Sequence, residues 1–227
     1  MPNFLDPNVV TVADVVKRAG YRTGHIGKWH LRSGPFPSQS DYGIDHYHSV
    51  WRSGDYFRSY SSFYCVEETI KFMELAGDQP FYVNLWLFQM HRPVVASADQ
   101  KRIYDGETFP LTDFTPYMRD YGELMPDPEE RFLEYNAVMT SVDAAIGNLL
   151  EFLDKRGLAD NTLLLFTSDN GPHQEGGNDP KFFRSAGPFR GIKGSMHEGG
   201  LRVPMIVRWT GKIKPNSVSE QVFPLWD

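Results

Sequence analysis

Three stretches of the sequence carry residue types that could do chemistry. In "LLLFTSDNGPHQEGG" (163–177) an apolar run passes straight into Asp169 and Asn170. Both offer oxygen donors, which suit a hard cation such as calcium or magnesium better than zinc. Two ligands are few for calcium, and the same pair could instead cap an Asx-turn ahead of Gly171. In "GHIGKWHL" (24–31) Lys28 and His30 stand two apart, so an extended chain would point both to one side. Such a pair suits a small anion, or simply flanks Trp29 at the surface. In "FYVNLWLFQMHRP" (81–93) His91 follows a second apolar run. A histidine there suits a general acid, although a strand-end histidine can also just satisfy a loop carbonyl.

A fourth stretch, "GPFRGIKGSMHEGGLRVP" (187–204), is glycine-rich and carries Lys193. Glycines let backbone approach a ligand and donate amide hydrogens to it. Gly191, Gly194, Gly199 and Gly200 fit neither a dinucleotide fingerprint nor a phosphate-binding P-loop, and no GxSxG elbow occurs. The two histidines of "DHYHS" (45–49) read as part of a loop rather than a metal site.

These residues need a scaffold, and the pattern around them is α/β. Residues 11–19, "TVADVVKRA", set Val12, Val15, Val16 and Ala19 on one helical face, with Thr11 as N-cap and Gly20 as stop. An extended piece follows, then an irregular, polar stretch over 32–60, and a helix over about 63–76. "FYVNLWLF" is apolar on both faces and predicts a covered central strand. Residues 92–128 read as a long loop. Tyr135, Met139, Val142, Ile146, Leu149 and Leu153 predict a helix over about 129–156. "NTLLLF" (161–166) and "PMIVRW" (204–209) predict two more buried strands. In such sheets ligands sit beyond the carboxyl ends of the strands, where the candidates fall.

With 227 residues the chain is long enough for one substantial core, and no linker divides it. A net charge of −6 argues against a nucleic-acid partner, and no apolar run is long enough to cross a bilayer. Cys65 stands alone, which excludes an internal disulfide framework. Between Lys181 and Lys214 eight lysines and arginines face only Glu198 in sequence. They form either a solvated surface balanced in space or an anion-facing region.

Taken in order, "TVADVVKRAGYRTGHIGKWHL", "MHRP", "DNTLLLFTSDNGP" and "GPFRGIKGSMHEGGLRVPMIVRW" resemble the sulfatases. The resemblance implies an alkaline-phosphatase-like α/β fold, a mostly parallel sheet with helices on both faces. It implies a sulfuric ester hydrolase that uses calcium (magnesium being the other hard cation) and a formylglycine nucleophile. Asp169 and Asn170 would be half of the metal site, and Lys28 and Lys193 would grip the sulfate oxygens. His91 would protonate the leaving alcohol, and His30 would assist the nucleophile's hydroxyl. The substrate would be a sulfated small molecule or carbohydrate, and the setting extracytoplasmic.

The family's paired aspartates and its C-x-P-x-R or S-x-P-x-R nucleophile motif do not occur in these residues. Cys65 lacks the proline and arginine, and "SAGPFR" has one residue too many before its proline. The expectation is therefore one catalytic domain, residues 1–227, incomplete at both ends, inactive alone and weak in calcium binding. Two alternatives stay open: a phosphonate or phosphate ester hydrolase of the same superfamily, and a silent module that binds sulfated ligands.

Overall fold

In the computed structural model the described residues are 4–31, 37–49, 59–91, 93–107, 127–174, 178–222 and 224–225. Thr11 caps helix α1 (Val12–Arg18), as the sequence predicts, and the structure adds a reciprocal capping box with Asp14. The chain then enters strand β1 (Arg22–Gly27), the middle of a parallel three-stranded sheet ordered β2–β1–β3. Its neighbours are β2 (His46–Ser49) and β3 (Phe81–Trp86).

The two-residue period of β1 separates its faces. Gly24 and Ile26 face helix α2 (Ser61–Ala76), whose Phe72 packs so close to Gly24 that a Cβ there would stand 2.8 Å from the ring. Cys65, Val66 and Met73 of α2 join Ile26 in the main core. A short helix α3 (Ala98–Lys101) precedes the long helix α4 (Pro128–Lys155), which adds Ala145, Leu149 and Leu153 to that core. A second cluster sets Val94 and Ala96 against Ala137 and Val138.

Several expectations change. The stretch 32–60 is not all irregular surface: "DHYHS" supplies β2, and Tyr42 and Ile44 before it are buried. Part of 92–128 is core, through Val94 and Ala96, while 108–126 lies outside the described residues. On α1 it is Ala13 that is buried, while Val12 and Val15 are exposed. The cause is a backbone contact: a Cβ on Gly43 would meet the Asp14 amide nitrogen at 2.6 Å, so the helix docks through Ala13 and Asp14. The buried stripe of α4 includes Val138, Ala145, Leu149 and Leu153, leaving Met139 outside.

Two short strands, β4 (Leu164–Phe166) and, after a one-turn helix α5 (Glu198–Leu201), β5 (Ile206–Arg208), pair antiparallel in a separate ribbon. They are not the buried strands their composition predicts. Only Leu164 reaches the main core; Leu165 is 55% and Ile206 62% exposed. Among the described residues no strand other than β5 pairs with β4, and its Leu165 and Phe166 stand exposed.

Candidate active site

Backbone hydrogen bonds, more than any single side chain, fix the segments that carry Lys28, His91 and Lys193. At the end of β1, Gly27 adopts φ 108, and a Cβ there would lie 2.1 Å from the Trp86 carbonyl oxygen. Only glycine lets β1 leave so close to β3. Lys28 then donates its backbone N–H to Trp86 O at 2.9 Å. Its own carbonyl accepts from His25 Nε2 at 2.8 Å. Lys28 is half-buried and His30 exposed, both beyond the strand, so strand alternation does not set their directions.

Beyond β3, His91 closes a turn by donating its N–H to Phe88 O at 2.8 Å. A histidine that the sequence reading did not single out lies beside it. His173 donates from Nε2 to Met90 O at 3.1 Å, and its ring centroid stands 5.9 Å from that of His91. The turn after β4 is thereby tied to the turn after β3. The sequence signal was slight: a second histidine three residues beyond Asn170, with nothing local to name its acceptor.

The β4 turn is itself organised by polar side chains. Ser168 Oγ donates to Asn170 O at 3.0 Å, and Asn170 Nδ2 to Gly171 O at 3.1 Å. Asn170 thus engages its neighbouring backbone through the amide nitrogen. Asp169 is exposed beside it. These two residues offer the right donor type for calcium, yet calcium takes six to eight oxygens. Among the described residues no three His, Cys, Asp or Glu side chains are grouped to hold a metal. The described residues therefore do not form a calcium cage by themselves.

The glycine-rich stretch folds onto that turn. Gly171 N–H donates to Gly200 O at 3.0 Å, and Lys193 N–H donates to Pro172 O at 2.8 Å. Gly199 N–H reaches Arg190 O at 2.8 Å. The glycines here serve close backbone packing: a Cβ on Gly171 would sit 2.0 Å from Gly199 O, and one on Gly200 2.3 Å from Ser195 O. Lys193, half-buried, is carried to the mouth of β4. The basic stretch is not uniformly free for an anion, because Arg202 faces Glu198 at 3.4 Å and Arg208 faces Asp154 at 2.8 Å.

Beyond its strands the chain thus carries lysines, histidines and two oxygen donors, residue types suited to a small oxyanion and to proton transfer. The comparisons with known proteins narrow that class. The model of the sulfatase family matches residues 3–225, and the chain belongs to this family. The N-acetylgalactosamine-6-O-sulfatase of Bacteroides thetaiotaomicron is 28% identical over 277 residues, covering 94% of this chain and 54% of that protein. The ulvan-active sulfatase of Formosa agariphila is 29% identical, covering 95% of this chain and 44% of that protein. The chain spans about half the length of these curated relatives.

Solved structures show the same alkaline-phosphatase-like fold. The i-CgsB protein in complex with a neocarrahexaose superposes with TM-score 0.64 at 22% identity, over 93% of this chain and 51% of that one. A structure from glycosaminoglycan metabolism in Bacteroides thetaiotaomicron gives TM-score 0.68 at 20% identity, over 93% and 50%.

Proposed function

We propose that the protein to which these residues belong hydrolyses a sulfate monoester carried by a carbohydrate. The observation that carries this reading is the seam between the β4 turn and the glycine-rich stretch, where Lys193 N–H meets Pro172 O and Gly171 N–H meets Gly200 O. That seam joins a lysine to the oxygen donors Asp169 and Asn170, while the His173 bond to Met90 O brings the His91 turn alongside. Sulfated carbohydrate is supported by two relatives, the N-acetylgalactosamine-6-O-sulfatase and the ulvan-active sulfatase.

In hydrolysis the bond from sulfur to the sugar oxygen breaks, water supplies the new sulfate oxygen, and the sugar oxygen leaves with a proton. We assign that proton to His91, acting as general acid. Lys28 and Lys193 stabilise charge on the sulfate oxygens, and His30 assists the hydroxyl of the nucleophile. The nucleophile is the family's formylglycine, whose motif is not among these residues. Calcium is the metal the family implies, and Asp169 and Asn170 are the residues of this chain assigned to it. When bound it would polarise the sulfate. Family membership also supports an extracytoplasmic setting, and among the described residues no helix is long and apolar enough to cross a membrane.

The test uses the full-length protein with three substrates: N-acetylgalactosamine 6-sulfate, an aryl sulfate and an aryl phosphonate ester. Turnover of the sulfated sugar, loss of rate on chelation, and a preference for sulfate over phosphonate are expected. His91→Ala should slow the sugar ester by about 10²–10⁴-fold and the activated aryl ester less, as removal of a general acid does. Preference for the phosphonate would move the reading to a phosphonate hydrolase. Binding without turnover would make it a silent module.

A further inference from the structure

His25 is a fully buried polar residue of β1, and packing alone is a poor account of it. It is fully enclosed, at 0% exposure, on the face of β1 opposite Ile26. Three rings surround it: Trp86 at 4.6 Å, Trp29 at 4.9 Å and Tyr47 at 5.8 Å between centroids. An apolar side chain would fill such a box without the cost of burying two ring nitrogens. Burial indeed holds the imidazole far below its ordinary 6.5, at about 4, so it stays uncharged at neutral pH. What the histidine adds over an apolar filler is one hydrogen bond, Nε2 to Lys28 O at 2.8 Å. A carbonyl only accepts, so Nε2 carries the hydrogen. Among the described residues Nδ1 is buried and has no partner, so nothing else fixes the ring through its nitrogens.

The other side of the same residue is fixed as well, since Lys28 N–H donates to Trp86 O at 2.9 Å. Lys28 is therefore held through both its peptide groups where the chain leaves β1, immediately after Gly27 has allowed the close approach to β3. A lysine side chain is long and mobile, and its reach is defined only as well as its backbone is.

We propose that His25 is a positioning residue for Lys28, its Nε2–H fixing the Lys28 carbonyl so that the ammonium is presented to a bound sulfate. The proposal rests on the reading of Lys28 as a sulfate-binding cation. A partner chosen for packing alone would not need a donor at that point.

The test compares His25→Met with His25→Gln in the full-length protein. The two side chains are close in size, but only glutamine carries an N–H that can reach the Lys28 carbonyl. Hydrogen exchange over residues 26–31 decides whether His25 holds Lys28, and titration with inorganic sulfate decides whether that hold serves the anion. His25→Met is expected to raise exchange at Lys28 to His30 and to weaken sulfate by about tenfold, the loss of one hydrogen bond's worth of order. His25→Gln is expected to return both to within about threefold of the parent. Equal behaviour of the two variants, whether both unaffected or both impaired, overturns the proposal. If the methionine variant does not fold, nitrogen-resolved spectra of the parent decide: a proton on Nδ1 rather than Nε2 overturns it. Lys28→Met separates the two readings. If it leaves sulfate affinity unchanged, the sulfate role of Lys28 has failed, and exchange alone judges His25.

Discussion

Gly171 and Gly200 lie back to back, the N–H of the first donating to the carbonyl of the second at 3.0 Å, with no room for a side chain between them. A Cβ on Gly171 would come to 2.0 Å from Gly199 O, which is backbone and cannot swing aside. Gly171→Ala must therefore part the β4 turn from the glycine-rich stretch. Overpacking of this kind costs about 1–3 kcal/mol. A drop of that size in urea-induced unfolding is expected, with a loss of sulfate binding larger than in an exposed control such as Gly147→Ala, where a Cβ meets open space. An unchanged unfolding midpoint would show that this seam is not tight in solution.

His25 makes stability depend on pH in a defined window. In the unfolded chain its imidazole takes up a proton as pH falls through its ordinary 6.5, while in the folded chain it resists until about 4. Between those values the unfolded state binds more protons, so folding weakens as the solution is acidified. The gap corresponds to about 3 kcal/mol, fully lost by about pH 4 and absent above 6.5. His46 is lowered in the same direction, by burial first and then by the Arg22 charge, so the parent curve sums both. The His25→Gln variant should flatten the curve by about the His25 share. A parent and variant with superimposable stability between pH 7 and 4 would refute the assignment.

His173 supplies the third prediction, because its bond to Met90 O spans two turns 83 residues apart in sequence. His173→Phe keeps a ring near His91 and removes the donor. It should lower stability by about 1 kcal/mol, the usual net value of one hydrogen bond, and raise exchange at residues 88–91. If exchange there stays at the parent level, His173 does not hold that turn.

What could be read from the sequence was what neighbouring residues decide. The N-cap Thr11, the extended piece around His25 and the long helix follow from local periodicity and caps, whereas "FYVNLWLF" forms a strand that stands, among the described residues, half-buried at the side of the sheet and not covered at its centre. Asp169 at a strand exit was equally legible, since an apolar run simply stops there. Partners far along the chain were not legible. β2 has no apolar run of its own, and "HYHS" becomes a strand only because β1 offers it an edge in register from Gly24–His46 to Gly27–Ser49. The glycines of the "EGG" stretch announced a close approach, but not that Gly171 would be what approaches. His25 and His173 were silent for the same reason, as a lone histidine acquires its role from a carbonyl elsewhere.

The β4–β5 ribbon leads to the last prediction. Leu165, Phe166 and Ile206 are all largely exposed although their composition belongs to a core. Phe166 pairs with Ile206 on one face of the ribbon and Leu165 with Val207 on the other, so both faces carry exposed apolar side chains. A short unpaired strand edge beside such side chains is a template for another chain. The 227-residue chain should therefore self-associate at concentrations on the order of ten micromolar, and Leu165→Lys with Ile206→Lys should suppress it, since a charge on a strand edge disfavours pairing. Sedimentation velocity across a concentration series measures this directly. A parent that stays monomeric throughout would mean that the ribbon is covered in solution, and a double variant that associates like the parent would place the contact elsewhere on the surface.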